Sequence, residues 1–278
     1  MTVDKNSTDQ SHTDQRPLVT ANSWASLRRH TDARIGLGRT GISLPTEAHM
    51  DFQEAHARAR DAVHIPLDTH ALLRELEDSG LATLHLHSQA HDRITYLQRP
   101  DKGRRLNGDS AACLKQQRDA HPAAEAVIVI ADGLSSTAVQ RHAAKLAVLI
   151  DQGLANQGLT RHPVCVVEQG RVAVGDEVGE LLESRLVILL VGERPGLSSP
   201  DSLGIYYTYQ PRVGLTDAAR NCISNVRPAG TPPADACERL MWLVRESLKR
   251  QLSGVTLKDD SGDADAIDTD SPGNFLLE

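Results

Sequence analysis

The hydrophobic pattern changes character twice along this chain. Between residues 20 and 80 apolar positions recur at helical spacing, interrupted by polar punctuation. A short amphipathic helix is predicted over Ser23–Ile35, followed by the loop GLGRTGISLP. Thr46 reads as the N-cap of a second helix, with Pro45 before it and Glu47 and Asp51 in its first turn. Ile65-Pro66 ends it after His64. Asp68 caps a third, with Leu72, Leu73 and Leu76 on its apolar face and Gly80 as its stop.

Beyond residue 80 the period shifts toward two. LATLHLH (81–87) alternates, and ITYLQ (94–98) reads as a second short extended piece. AVIVIA (126–131), PVCVVE (163–168), RLVILLV (185–191) and YYTY (206–209) are further strand candidates. Between them lie helical stretches: residues 135–158, opened by Ser and closed by Gly, and the short DEVGELL (176–182). A last helix starts at Pro232-Pro233 and runs to about Leu252, with Cys237, Met241, Val244 and Leu248 on one face and Gly254 beyond its end. Continuous apolar strands alternating with helices predict an α/β, doubly wound and largely parallel sheet, covered on both faces. The expected division is a polar N-terminus (1–20), a small helical region (21–92), the α/β domain (93–258) and an acidic tail (259–278). The two ends read as disordered.

Composition narrows the function classes. The formal net charge of −7 comes from the last 20 residues, which carry seven acids and no base. The rest of the chain balances 30 acidic against 30 basic residues, which argues against a nucleic-acid partner. No apolar stretch approaches the roughly 20 residues of a membrane span, and the N-terminus lacks a secretory pattern. Cys113, Cys165, Cys222 and Cys237 show no metal-ligand or disulfide spacing, which fits a reducing cytoplasm.

Several candidate sites dissolve on inspection. Gly36-Leu-Gly38-Arg-Thr-Gly41 spells G-x-G-x-x-G, but it follows a helical stretch, whereas a dinucleotide site needs a strand before it and a helix after. His85 and His87 share a strand face with His91 nearby, yet nothing in sequence completes a zinc shell. Asp132, Ser135, Ser136 and His142 can be assembled on paper into a hydrolase, but GLSST is no nucleophile elbow; Ser135 or Ser136 reads as a helix cap. Arg104-Arg105 offer planar donor forks, or simply a solvated turn. Three stretches adjoin the ends of predicted strands: GRV (170–172), GERPG (192–196) and CISN (222–225). Folding should gather them at one edge, where open α/β sheets bind ligands. None supplies a nucleophile or an acid pair, so they read as one wall of a binding site. On residues alone, a non-autonomous enzyme subunit and a stand-alone ligand-binding α/β module both remain open.

One family carries these words in this order. YLQRPDKGRRL, ADGLS, GRV, VILLVGERPGLSSPDSL, Tyr206-x-x-Tyr209-x-Pro211-Arg212, CISN and GTPP, spread over about 93–254, resemble the small (light) subunit of ethanolamine ammonia-lyase. A looser likeness extends back through ARIGLGRTG. The resemblance implies an adenosylcobalamin-dependent radical lyase that converts ethanolamine to acetaldehyde and ammonia. In it a large TIM-barrel subunit holds the substrate, and the small subunit closes the corrin site. Cofactor contacts carry over to Val172, Glu193 and Cys222; no catalytic or metal-ligating residue carries over. Asp68-Thr-His70 and Asp119-Ala-His121 begin the Asp-x-His-x-x-Gly pattern of base-off cobalamin domains but lack its glycine, so the cofactor is expected base-on and Cys222 is not expected to bind cobalt. The implied partner is the large subunit, in a hetero-oligomer of paired subunits. The implied location is the cytoplasm, free or within a bacterial microcompartment.

Overall fold

The computed structural model describes residues 17–260, and both the first 16 residues and most of the acidic tail lie outside them. The chain divides into two compact units between His56 and Ala57. In the first, a 3-10 turn over Ser23–Arg29 replaces the helix expected to Ile35. Asn22 caps it by accepting from Trp24 N at 2.9 Å, and the turn stops at His30. The glycine-rich loop that follows is held by isolated bridges, Thr20 with Arg39 and Thr40 with Ser43. Helix α1 (Thr46–His64) stops where Ile65-Pro66 predicts, but Thr46, expected as its cap, is already its first residue, with His49 N donating to Pro45 O at 3.1 Å.

The second unit is mixed α/β. After α2 (Thr69–Asp78) come β1 (Thr83–His87), α3 (Arg93–Gln98), α4 (Gly108–Ala120), β2 (Ala126–Ala131) and α5 (Ser136–Asn156). There follow β3 (Val164–Glu168), α6 (Val174–Leu181), β4 (Leu186–Gly192), β5 (Leu203–Tyr209), β6 (Arg220–Val226) and α7 (Pro233–Arg250). The sheet order is β1-β3-β2-β4-β5-β6. The first four strands pair in parallel, while β5 and β6 close the sheet antiparallel. Every residue of β2 and β4 is buried, as a strand covered on both faces requires. One face packs against α2, α5 and α7, the other against α4 and α6.

Local signals explain most boundaries. The Asp68 carboxylate accepts from Ala71 N at 2.9 Å, and Gly80 takes the left-handed conformation (φ +82°) just past α2. Three expectations need correcting. ITYLQ is helix α3, because Asp92 caps it, accepting from Thr95 N at 2.6 Å, and Ile94 faces solvent. Its β-branched composition is the misleading signal; the cap decides. CISN lies inside a strand, β6, whose buried positions are too sparse to read as one. Helix α7 is rotated from its expected face: Ala236, Leu240, Leu243, Val244 and Ser247 are buried, while Cys237, Met241 and Leu248 only flank the core. Ser247 tolerates burial because its hydroxyl donates to Leu252 O at 2.6 Å. Among the described residues no helix is long and apolar enough to cross a membrane.

Candidate functional site

The chain leaves β2 toward α5 on one face and leaves β3 toward α6 on the other. Such a divergence opens a crevice at the carboxyl ends of adjacent strands. A cleft of about 400 Å³ lies there. The β2 end contributes Gly133 and Leu134, and the turn after β3 contributes Arg171 and Val172. Val191, Gly192, Glu193 and Arg194 line it from β4, Tyr206 from β5 and Tyr96 from α3.

Backbone approaches very closely at its floor. A Cβ on Gly133 would sit 2.2 Å from Gly192 O, and one on Gly192 would sit 2.1 Å from Ser135 O. Glycine at both positions is therefore a packing requirement. Asp132, 2 % exposed, ties the strand ends together by accepting from Gly133 N and Gly170 N, each at 3.0 Å. Burial pushes its carboxyl up to about 6, against the opposing pull of Arg93 and these N–H groups. The guanidinium carbons of Arg93 and Arg171 lie over the Tyr96 ring, 4.6 and 4.3 Å from its centroid. Arg93 also donates to Val63 O at 2.7 Å and Gly133 O at 2.8 Å, and Arg171 to Tyr96 O at 2.9 Å. Burial lifts the Tyr96 hydroxyl to about 12, so it stays protonated.

The opposite wall is organised by Glu193. Its Oε1 accepts from Ser224 Oγ at 2.7 Å, and its Oε2 accepts from Asn225 N at 3.1 Å and from Ser202 Oγ. The carboxylate reaches β6 across a register irregularity between Leu203 and Ile205, where Gly204 leaves room for it: a Cβ there would lie 3.0 Å from Glu193 Oε1. Asn225 adopts a left-handed backbone (φ +58°) with its N–H on the carboxylate. Cys222 is exposed, pairs in register with Tyr206, and lies with Sγ 3.5 Å from Ser224 Oγ. Tyr206 is strongly biased to its protonated form by burial, with Cys222 and Glu193 adding to it.

A family model described as ethanolamine ammonia-lyase light chain (EutC) matches residues 21–258. The chain belongs to that family. It is 54 % identical over 268 residues to the ethanolamine ammonia-lyase small subunit of Pseudomonas fluorescens Pf-5, covering 95 % of this chain and 97 % of that one. It is 58 % identical over 247 residues to the small subunit from Ralstonia nicotianae, covering 88 % and 92 % of the two chains. With that of Azotobacter vinelandii the identity is 56 % over 264 residues, covering 94 % and 98 %.

Of the three contacts that the resemblance implies, Val172 and Glu193 line one cleft, whereas Cys222 does not: it is the strand partner of Tyr206, which does. The other readings separate. Ser135 caps α5, accepting from Ala138 N at 3.1 Å and donating to Pro200 O at 2.8 Å, while Ser136 donates to Ile65 O. His142 lies against Asp201, so the serines and this histidine form no triad. Arg105 is committed to Glu177 in a two-pronged pair at 3.0 and 2.9 Å, and Arg99 to Asp101. His85 pairs with Glu168 at 2.7 Å. Among the described residues no group of three or more His, Cys, Asp or Glu is arranged to hold a metal ion. Arg171 and Arg194 enter the cleft with the GRV and GERPG stretches expected to form its wall. Tyr96 and Tyr206 were not expected there; both sit in stretches that carry the resemblance, YLQRPDKGRRL and Tyr206-x-x-Tyr209-x-Pro211-Arg212.

Proposed function

We propose that this chain is the small subunit of an adenosylcobalamin-dependent ethanolamine ammonia-lyase, with its cleft as one wall of the cobalamin site and the large subunit supplying the rest. One observation carries the reading: Val172 and Glu193 converge on an open crevice whose lining suits part of a corrin and none of whose groups suits independent catalysis. Leu134, Val172 and Val191 offer flat apolar contact, and Arg171 and Arg194 form a polar rim for amide side chains. About 400 Å³ is at the lower end of small-ligand pockets, too small to enclose a corrin with its nucleotide tail. In this reading the large subunit completes the site.

When bound, the cofactor supplies the radical chemistry that turns ethanolamine into acetaldehyde and ammonia. The residues of this chain bind and orient. Asp132 and Arg93 lock the strand ends beneath the cleft, and Tyr96 keeps its proton there. With three donors already on Glu193, its carboxylate has little accepting capacity left for a ligand. Its main contribution is to fix the β5–β6 wall that presents Tyr206, Ser224 and Cys222. In this reading the cofactor stays base-on and Cys222 packs on its nucleotide side, in a doubly wound scaffold within a hetero-oligomer of paired subunits.

The test is acetaldehyde production from ethanolamine by this chain co-purified with its large subunit, with adenosylcobalamin added or withheld. Cofactor-dependent activity, absent from either chain alone, is the expected result. Val172→Asp should raise the cofactor KM at least about tenfold while kcat at saturation stays within about threefold. A collapsed kcat at unchanged cofactor affinity would overturn the assignment of this wall.

A further inference from the structure

We propose that Asp201 is a positioning residue for cofactor binding: through Arg141 and His142 of α5 it holds the β4–β5 loop so that Arg194 stands in the cleft. This rests on the cobalamin reading above. The loop runs from Glu193 to Asp201, and none of its residues is buried. It contains one small turn, in which Gly196 and Ser199 exchange backbone bonds at 3.1 and 3.2 Å. A segment without apolar burial of its own takes its position from polar ties at its two ends. At the first end Glu193 N donates to Ser202 O at 2.9 Å, and the Glu193 carboxylate accepts from Ser202, Ser224 and Asn225. The second end is tied to α5. Ser135 Oγ donates to Pro200 O at 2.8 Å, and Arg141 Nη1 donates to Asp201 Oδ2 at 3.0 Å.

Three observations single out Asp201. Its side chain is only 20 % exposed, so water competes weakly for it. Against the upward push of burial, Arg141 and His142 hold its carboxyl below the ordinary value. The third is the placement of His142. Its Nε2 stands 3.5 Å from the same Oδ2, in ion-pair range but without a hydrogen bond to it, and among the described residues this buried nitrogen has no hydrogen-bond partner. Buried polar atoms normally have one, and the Asp201 carboxylate is the acceptor beside it. Arg141 is 59 % exposed, and a tie to such a group adds little to global stability. Its consequence is local. Without the Asp201 carboxylate the second end keeps the Ser135 bond to Pro200 but loses its tie to Arg141, and Arg194 samples positions away from the cleft it lines. A ligand that needs Arg194 in place then binds with an affinity reduced by the fraction of time the loop is anchored.

Equilibrium dialysis of the assembled two-subunit enzyme against cyanocobalamin tests this, because it reads the affinity of the cofactor site without turnover. Asp201→Ala should weaken binding at least about threefold and raise the adenosylcobalamin KM by a similar factor, with kcat at saturation unchanged. The Tm of the variant chain should fall by no more than about 2 °C. Asp201→Asn keeps an acceptor for Arg141 and should recover most of the affinity. Arg141→Ala reaches the same tie from an exposed position and should reproduce part of the loss. The double variant Arg141→Ala/Asp201→Ala should bind no worse than Asp201→Ala alone, since the two act through one contact. Parental affinity in both alanine variants, fully additive losses, or a fall in kcat at unchanged affinity overturns the positioning role and leaves the cobalamin reading intact. A parental complex that does not bind cyanocobalamin sinks the cobalamin reading itself, and this proposal with it.

Discussion

Truncating Glu193 to alanine removes three hydrogen bonds to a carboxylate, from Ser202 Oγ, Ser224 Oγ and Asn225 N. Bonds to charged groups contribute about 1.5–3 kcal/mol each, but that figure applies only where water cannot replace the acceptor. Ser224 and Asn225 are exposed and rehydrate at little cost, whereas Ser202 is 5 % exposed and its hydroxyl is stranded. The expected loss is therefore about 2–4 kcal/mol, one stranded donor plus the weakened β5–β6 clamp. For a unit of this size that lowers Tm by about 5–12 °C. Glu193→Gln keeps a carbonyl for Asn225 N and Ser202 Oγ, and the Ser224 hydroxyl can rotate to accept from the new amide. It should cost about 1 kcal/mol, clearly less than alanine. Thermal or urea denaturation of the full chain, followed by circular dichroism, measures both. In the assembled enzyme, alanine should raise the cofactor KM more than it lowers kcat. If alanine destabilises by less than about 0.5 kcal/mol, or glutamine is as damaging as alanine, the clamp argument is wrong.

Other consequences can be checked in parallel. Asp132 holds its proton to about pH 6 in the native state, against an ordinary value of 3.8. Between those values the native state binds more protons than the unfolded state, so this group's contribution to stability falls as pH rises from about 4 to 6. The stability difference between the parent and Asp132→Asn should therefore change across that window and stay flat from pH 7 to 8; a difference with no pH dependence would refute the shift. Gly192→Ala should leave little soluble protein, since its Cβ would lie 2.1 Å from Ser135 O, and expression yield against Gly214→Ala, where no atom lies within 4 Å, separates packing from backbone strain. Arg220→Leu strands the buried Asp176 carboxylate, already pushed upward by burial, and should cost about 3–5 kcal/mol in urea. Replacing Arg220 and Asp176 together with apolar residues should recover most of that loss.

The residues themselves determined the strands and most helices, because burial on both faces leaves an unbroken apolar run such as AVIVIA or VILLV, and because caps such as Asp68 and Ser135 act within four residues. GRV and GERPG announced themselves by position, each following such a run. What a local pattern does not contain is the strand order. That β5 and β6 return antiparallel, that CISN is part of the last strand, and that Glu193 reaches across to Ser224 and Asn225 depend on pairings between residues 11 to 32 positions apart. The same holds for Asp132, which the sequence offers only as a paper member of a hydrolase set. Its role as a buried tie between β2 and β3 exists only once Gly133 and Gly170 stand beside it. Short-range hydrogen bonds and burial write themselves into composition, whereas the geometry of the cleft is a property of which strand ends become neighbours.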